Sequence, residues 1–251
     1  MTDHSKHRII HKERIGEKRI SGGERSFENG SPEEIIGYRF RDPSILLEAL
    51  THTSYANEHR KEQVVHNERL EFLGDAVLEI CSSEYLYLQY PDKPEGEMTR
   101  MRASMVCEPT LALCAREFGL PGYLLLGRGE ELSGGRNRDS IVSDALEALI
   151  GAVYLDGGFE AARTFIRRFI LNDIENKRLF VDSKTMLQEY AQGREERVEY
   201  TLDREEGPDH DKRYYVTVRI GEECTACGEG HSKKAAEQQA AYQALRQLRE
   251  G

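Results

Sequence analysis

An acidic triplet, Glu68, Glu71 and Asp75, and an acidic pair, Asp144 and Glu147, are the residues of this chain best placed to do chemistry. The triplet lies in His66-Asn67-Glu68-Arg69-Leu70-Glu71-Phe72-Leu73-Gly74-Asp75-Ala76-Val77-Leu78. At about 100° per residue, the apolar positions Leu70, Leu73, Val77 and Ile80 fall on one side of a helix. The three carboxylates gather on the other side, one turn apart, with no interleaved lysine. Like charges at that spacing repel and destabilise a helix. A divalent cation would offset the repulsion; a solvated acidic face is the plain alternative. Phe72 points to the acidic side, which argues that this side does not simply face water.

The second cluster sits in Ile141-Val142-Ser143-Asp144-Ala145-Leu146-Glu147-Ala148-Leu149-Ile150-Gly151-Ala152-Val153, which is apolar almost all round. Helices of that kind are buried. Asp144 and Glu147 share one face and are its only charges, and burying unpaired carboxylates is costly or forces their protonation. Either arginines elsewhere neutralise them, or they face Glu71 and Asp75 around a metal. Four carboxylates at an apolar pocket suit Mg²⁺ or Mn²⁺. Such a site polarises phosphoryl oxygens and activates water, so the reaction class expected is phosphodiester hydrolysis. A Ser or Cys nucleophile has no visible activating partner. Metal-independent cleavage of a phosphodiester would want a second acid–base residue beside His66, and none is evident.

The elements that carry these clusters are helical. Ser31-Pro32-Glu33-Glu34 is a helix start, and from there to about Lys177 nearly every segment has helical character. Arg41-Asp42-Pro43 opens a helix through Leu50. The acidic helix is expected from about Val65 to Leu88, with a break over 91–96 and one helix over 97–118. A loop region follows over 121–135. Ser140 to Leu155 is the apolar helix, and Phe159 to Glu175 closes the domain. Residues 1–30, with 7 basic and 5 acidic side chains, lack an apolar period and are expected to form a disordered basic arm. The chain is 251 residues long with a formal charge of −10, and residues 31–182 carry 17 basic and 26 acidic side chains, so the excess acid lies where the clusters lie. No secretory segment or membrane span is evident, and the five cysteines form an odd set, so a soluble, cytoplasmic, reduced protein is expected.

The texture changes near 178–182, taken as a linker. Ser183 starts a short helix, Val198 to Leu202 and Arg213 to Ile220 alternate like strands, a third strand is expected over 223–228, and an Ala- and Gln-rich helix runs from Lys234 to Leu248. The order is α-β-β-β-α over 183–250. Ser232-Lys233-Lys234 places cations and free backbone N–H groups together at a helix start, which suits phosphates. Cys224-Thr225-Ala226-Cys227 has no second pair and is read as two strand thiols.

At these residues the chain resembles a known family. His66 to Asp75 is similar to the signature of ribonuclease III, Asp144 to Ala152 resembles that family's second acidic motif, and Glu95 matches an acid preceding its third conserved helix. The α-β-β-β-α unit resembles the double-stranded RNA-binding domain. The resemblance covers roughly residues 31–250. It implies an all-α endonuclease domain over 31–177 that dimerises, followed by a small α+β RNA-binding domain. Glu71, Asp75, Asp144 and Glu147 would be the metal acids, with Asp75 and Glu147 catalytic, and Glu68 and Glu95 substrate- or dimer-facing acids of the same cleft. Phe72 would enter a socket on the partner subunit. Thr185, Gln188, Glu189 and His210 would join Ser232, Lys233 and Lys234 on RNA. The products implied carry 5′-phosphates, 3′-hydroxyls and two-nucleotide 3′ overhangs, with ribosomal RNA precursors among the substrates. The competing class is an inert dimeric RNA-binding protein, which would have no need to keep buried acids.

Overall fold

The computed structural model describes residues 31–207, 212–221 and 224–250; the expected basic arm lies outside them. Ten helices build the first part of the described chain. They are α1 Pro32–Ile36, α2 Pro43–Ala49, α3 Thr53–Glu58, α4 Glu68–Gln89, α5 Glu95–Val106, α6 Glu108–Glu117, α7 Arg128–Leu132, α8 Asp139–Gly157, α9 Phe159–Phe169 and α10 Ile174–Val181. Ser31 and Glu34 form a reciprocal capping box on α1. Asp42 caps α2, with Pro43 opening it.

Apolar α8 is the axis of this domain and packs against α2, α4, α6 and α9. Leu146, Leu149 and Ile150 are fully buried with Leu78, Leu111 and Ile166 from the surrounding helices. Each such side chain contributes about 1.5–3 kcal/mol of burial. Gly158, at φ 82°, ends α8 in a conformation that favours glycine. Just before it, the Asp156 carboxylate accepts from the Tyr38 hydroxyl and from the Arg41 and Asp42 backbone N–H groups. Chain segments far apart in sequence are thereby tied at one corner.

The helix expected over 97–118 is two helices. Pro109 inside one continuous helix would lack its N–H and clash one turn back, so α5 ends at Val106 and α6 restarts after an extended Cys107. Thr110 donates from Oγ1 to the Ser104 carbonyl at 2.6 Å, satisfying a carbonyl that the break exposes. The segment 121–135 is not all loop: it holds α7 and short 3-10 turns. The closing helix is also split, with Asp173 at φ 49° between α9 and α10. The stretch 178–182, expected as a linker, is largely helical, because α10 runs through to Val181.

Next come α11 Ser183–Gln192, β1 Val198–Glu206, β2 Arg213–Ile220, β3 Cys224–Gly230 and α12 Lys233–Glu250. The sheet is antiparallel in the order β1-β2-β3, with a register shift between Leu202 and Arg204. Its core joins Val216, Val218, Ile220 and Ala226 to Leu187, Ala240, Ala241 and Leu245 from the two helices. Alanines on α12 let it lie close to β3: a Cβ at Gly228 would stand 2.2 Å from the Ala240 nitrogen. Cys81 and Cys114 are buried free thiols, Cys107 is half-buried and Cys227 is exposed.

Candidate metal centre and RNA-binding surface

Helices α4 and α8 make the most extensive contact in the domain, and small residues permit it. A Cβ at Gly74 would lie 1.7 Å from the Glu147 carbonyl oxygen, and one at Gly151 would lie 2.3 Å from the Leu70 carbonyl oxygen. The helices therefore meet backbone to backbone, and the acids on either side of the crossing converge. Carboxylate oxygens of Glu71, Asp144 and Glu147 lie within 4.8 Å of one another. Between Ile141 and Val153, Asp144 and Glu147 are the two positions that are not buried. They open onto the cluster from an otherwise apolar wall.

The electrostatics are those of acids gathered without a counter-charge. Burial, then the Asp75, Asp144 and Glu71 carboxylates, push Glu147 up to about 8. Burial raises Glu71, with Asp144, Glu68 and Asp75 adding to it. Asp144 is raised by burial and by Glu108, against the opposing influence of His52. Among the described residues no lysine or arginine forms an ion pair with any of these acids, so the arginine alternative is not realised. Three half-buried carboxylates with room for an ion between them form an oxygen-only donor set, which fits a hard divalent cation.

Not every expected residue joins this cluster. Asp75 is exposed at its edge, close enough to raise Glu147. Glu68 is mostly exposed, and its charge reaches Glu71 and Asp144. Glu95 is elsewhere in the subunit: it accepts from Thr99 at 2.9 Å and lines a groove between α4 and α5. Glu108 and His52 flank Asp144 and were missed. Glu108 opens α6 beside the unforeseen helix break, and His52 follows Thr51, which faces Leu125 in an isolated bridge where the His52 N–H donates to the Leu125 carbonyl and the Leu125 N–H to the Leu50 carbonyl. Neither position belongs to an acidic run.

The expected core side of α4 needs one correction. Leu70, Gly74, Val77, Leu78 and Cys81 face the interior, while Leu73 is half-buried and Ile80 is 56% exposed. Gly74, not a large side chain, meets α8, and this centres the buried face one step round from Ile80. Phe72 is 81% exposed. With Ala76, Ile80 and Tyr87 it forms an apolar stripe along α4 that ends at the α4–α5 groove. The groove is a cavity of about 530 Å³ lined by Ile80, Leu86, Tyr87, Met98 and Arg102.

On the second domain, Thr185, Gln188 and Glu189 are exposed on one face of α11. Ser232 accepts from the Ala235 N–H at 3.1 Å and so caps α12, and Lys233 and Lys234 stand exposed in its first turn. His210 lies outside the described residues. Lys184, next to the exposed face of α11, is engaged instead by Glu237 at 2.6 Å.

The fold and site define a helical nuclease with an appended RNA-binding module, and comparison with known proteins agrees. A Ribonuclease-III-like family model matches residues 42–174, and a double-stranded RNA binding motif model matches 183–248. The chain is 50% identical to Ribonuclease 3 of Caldanaerobacter subterraneus subsp. tengcongensis, over 86% of this chain and 96% of that protein. It is 50% identical to Ribonuclease 3 of Desulforamulus reducens, over 85% of this chain and 88% of that one. The crystal structure of the nuclease domain of ribonuclease III from Campylobacter jejuni superposes with a TM-score of 0.51 at 42% identity, covering 55% of this chain and 90% of that one. The chain belongs to the ribonuclease III family. It is an endoribonuclease, of a family whose members cut double-stranded RNA, and it carries the module that binds such RNA. Among the described residues no helix is long and apolar enough to cross a membrane.

Proposed function

We propose that this endoribonuclease is a Mg²⁺-dependent homodimer that hydrolyses phosphodiester bonds on both strands of an RNA duplex, leaving 5′-phosphates, 3′-hydroxyls and two-nucleotide 3′ overhangs. Mn²⁺ would substitute. Structured RNAs of the cytoplasm, ribosomal RNA precursors among them, are the substrates this reading favours. The observation that carries it is the convergence of Glu71, Asp144 and Glu147 within 4.8 Å without a basic partner among the described residues.

Glu71, Asp144 and Glu147 would hold the cation. A bound divalent cation polarises a phosphoryl oxygen and lowers the pKa of water. Glu147, with its pKa pushed up to about 8, holds a proton at its carboxyl near neutrality in the metal-free protein and would have to be deprotonated to hold the cation. Asp75, exposed at the edge of the site, would orient the attacking water and accept its proton at a carboxylate oxygen. The apolar wall of α8 keeps bulk water from the other side and holds the acids at fixed separations. Lys233 and Lys234 contact phosphates, and Thr185, Gln188 and Glu189 meet 2′-hydroxyls in a minor groove, so the module reads shape rather than sequence.

Dimerisation rests on the exposed apolar stripe of α4. An isologous two-fold pairing of α4 with its copy would carry Phe72 of each subunit toward the α4–α5 groove of the other. The Campylobacter jejuni work concerns a region involved in dimer formation of that nuclease domain, which supports the same use here. Glu95, on the rim of the groove, would then face the partner, and Glu68 the substrate. The test is cleavage of an end-labelled RNA hairpin in Mg²⁺, with EDTA and single-stranded controls. Discrete, duplex-only cuts abolished by EDTA are expected; cutting that persists in EDTA would overturn the metal assignment.

A further inference from the structure

The two helices of the second domain carry its exposed polar groups side by side: Thr185, Gln188 and Glu189 on α11, and Lys233 and Lys234 at the start of α12. Lys184 and Glu237 lie next to those groups but are turned to each other, Nζ to Oε2 at 2.6 Å. The Lys184 ammonium also stands over the Tyr200 ring of β1, 4.9 Å from its centre. Burial, and then the Glu237 carboxylate, push the Tyr200 hydroxyl up to about 12, so acid, ring and ammonium share one partly buried spot. One residue back on α11 and one further along α12, the buried Ser183 hydroxyl donates to the Gln238 carbonyl at 3.1 Å. Two successive residues of one helix are thus tied to two of the other.

This pairing is an unexpected use of charge in a module that binds a polyanion. A lysine at the start of α11 could have served a phosphate, yet it is held by a carboxylate. Glu237, one turn after Lys233, brings negative charge to the lysine side of α12. A part-exposed ion pair contributes little to stability, so stability does not account for it. Register does. Where α12 packs it presents Ala236, Ala240, Ala241 and Ala244, all fully buried. Helices lock at fixed offsets when side-chain ridges enter grooves, and methyl groups make shallow ridges. An alanine face therefore resists sliding along the axis only weakly, and a polar tie is what fixes the offset. The offset matters because an A-form duplex presents its minor groove and the phosphates across the major groove at a set separation. A shifted helix would keep one group of contacts and lose the other.

We infer that the Lys184–Glu237 pair is a register lock: it holds the α11 face and the α12 lysines at the separation that an A-form duplex demands, and so makes the module select RNA over DNA duplexes. Lys184 and Glu237 are positioning residues, because their charges cancel and what they supply is spacing. The selectivity rests on the RNA contacts proposed above for the two helices. It is independent of the metal and of how the module sits on the nuclease domain.

The test is fluorescence anisotropy of the full chain in EDTA, with labelled RNA and DNA duplexes of one sequence and about 20 base pairs, beyond the roughly 16 that such a module spans. Glu237→Gln removes a negative charge beside the phosphate-binding lysines. Acting through charge alone, it would tighten binding to both duplexes. The register lock gives the opposite sign for RNA, an affinity weaker by about tenfold, with DNA binding unchanged or tighter. Lys184→Met should lose the same preference for RNA. The reversed pair, Lys184→Glu with Glu237→Lys, should restore it, and thermal melts verify that each variant is folded. RNA and DNA affinities that move together in Glu237→Gln, or a reversed pair as unselective as the single variants, would overturn the lock. Lys233→Glu with Lys234→Glu is measured alongside. Unchanged RNA binding there would overturn the inference through the contacts themselves, an outcome distinct from failure of the pair.

Discussion

Gly74 lies against the backbone of Glu147 so closely that a Cβ at position 74 would stand 1.7 Å from the Glu147 carbonyl oxygen. The acid most perturbed in the cluster is thus carried on the residue whose backbone the glycine touches. Gly74→Ala must push α4 from α8, at a cost of about 1–3 kcal/mol, and it moves Glu71 relative to Glu147. A lower melting temperature and a fall in cleavage of roughly tenfold or more are expected, because ångström displacements at a reacting centre are expensive. Activity within twofold of the parent would show that the crossing does not set the site.

Glu147→Gln removes the central negative oxygen while keeping shape. Hairpin cleavage in Mg²⁺ should fall on the order of a hundredfold or more, with duplex binding by gel shift nearly unchanged. Substantial activity in the variant would sink the assignment of Glu147 to the metal.

The raised pKa of Glu147 has a sign that can be measured on metal-free protein. Its folded-state value near 8 lies above the ordinary carboxylate value of 4.5, so the folded state binds the proton more tightly. Stability from this group is therefore fully present below about pH 4.5 and is lost as pH rises through about 8. Thermal melts in EDTA should show this loss between those limits, and Glu147→Gln or saturating Mg²⁺ should flatten it. An unchanged slope in the variant would point to another group.

Phe72 is the most exposed large apolar residue described. Phe72→Ala should shift sedimentation toward monomer at micromolar concentration and lower cleavage in parallel. A dimer as tight as the parent's would remove Phe72 from the interface.

Lys233 and Lys234 are expected to act as phosphate contacts. Replacing both with Glu should weaken duplex binding for all sequences alike, and should reduce the salt slope of binding by about one per lysine. Single-turnover cleavage at saturating RNA should change much less. An unaltered salt slope would place the phosphates elsewhere on the module.

Much of this protein was legible as sequence. The period of Leu70, Val77 and their neighbours, the helix start at Ser31-Pro32 and the alternation of Arg213 to Ile220 are local patterns, and helix and strand obey them because backbone hydrogen bonding and side-chain period are local. Asp144 and Glu147 stood out because charge in an apolar helix is costly wherever that helix lies. The helix break at Pro109 was equally local and was missed, as was α10 passing through the expected linker.

Tertiary structure alone decided the rest. Whether Glu71 meets Glu147 depends on how closely α4 and α8 approach, and Gly74 and Gly151 govern that by lacking atoms. The shift of Ile80 to the exposed stripe follows from the same contact. Glu108 and His52 reach Asp144 through a helix start and a backbone bridge that no acidic pattern announces. Sequence pattern reports which residues must be buried or paired; which of them meet is set by the packing of distant elements, where backbone separation and excluded volume select the partners.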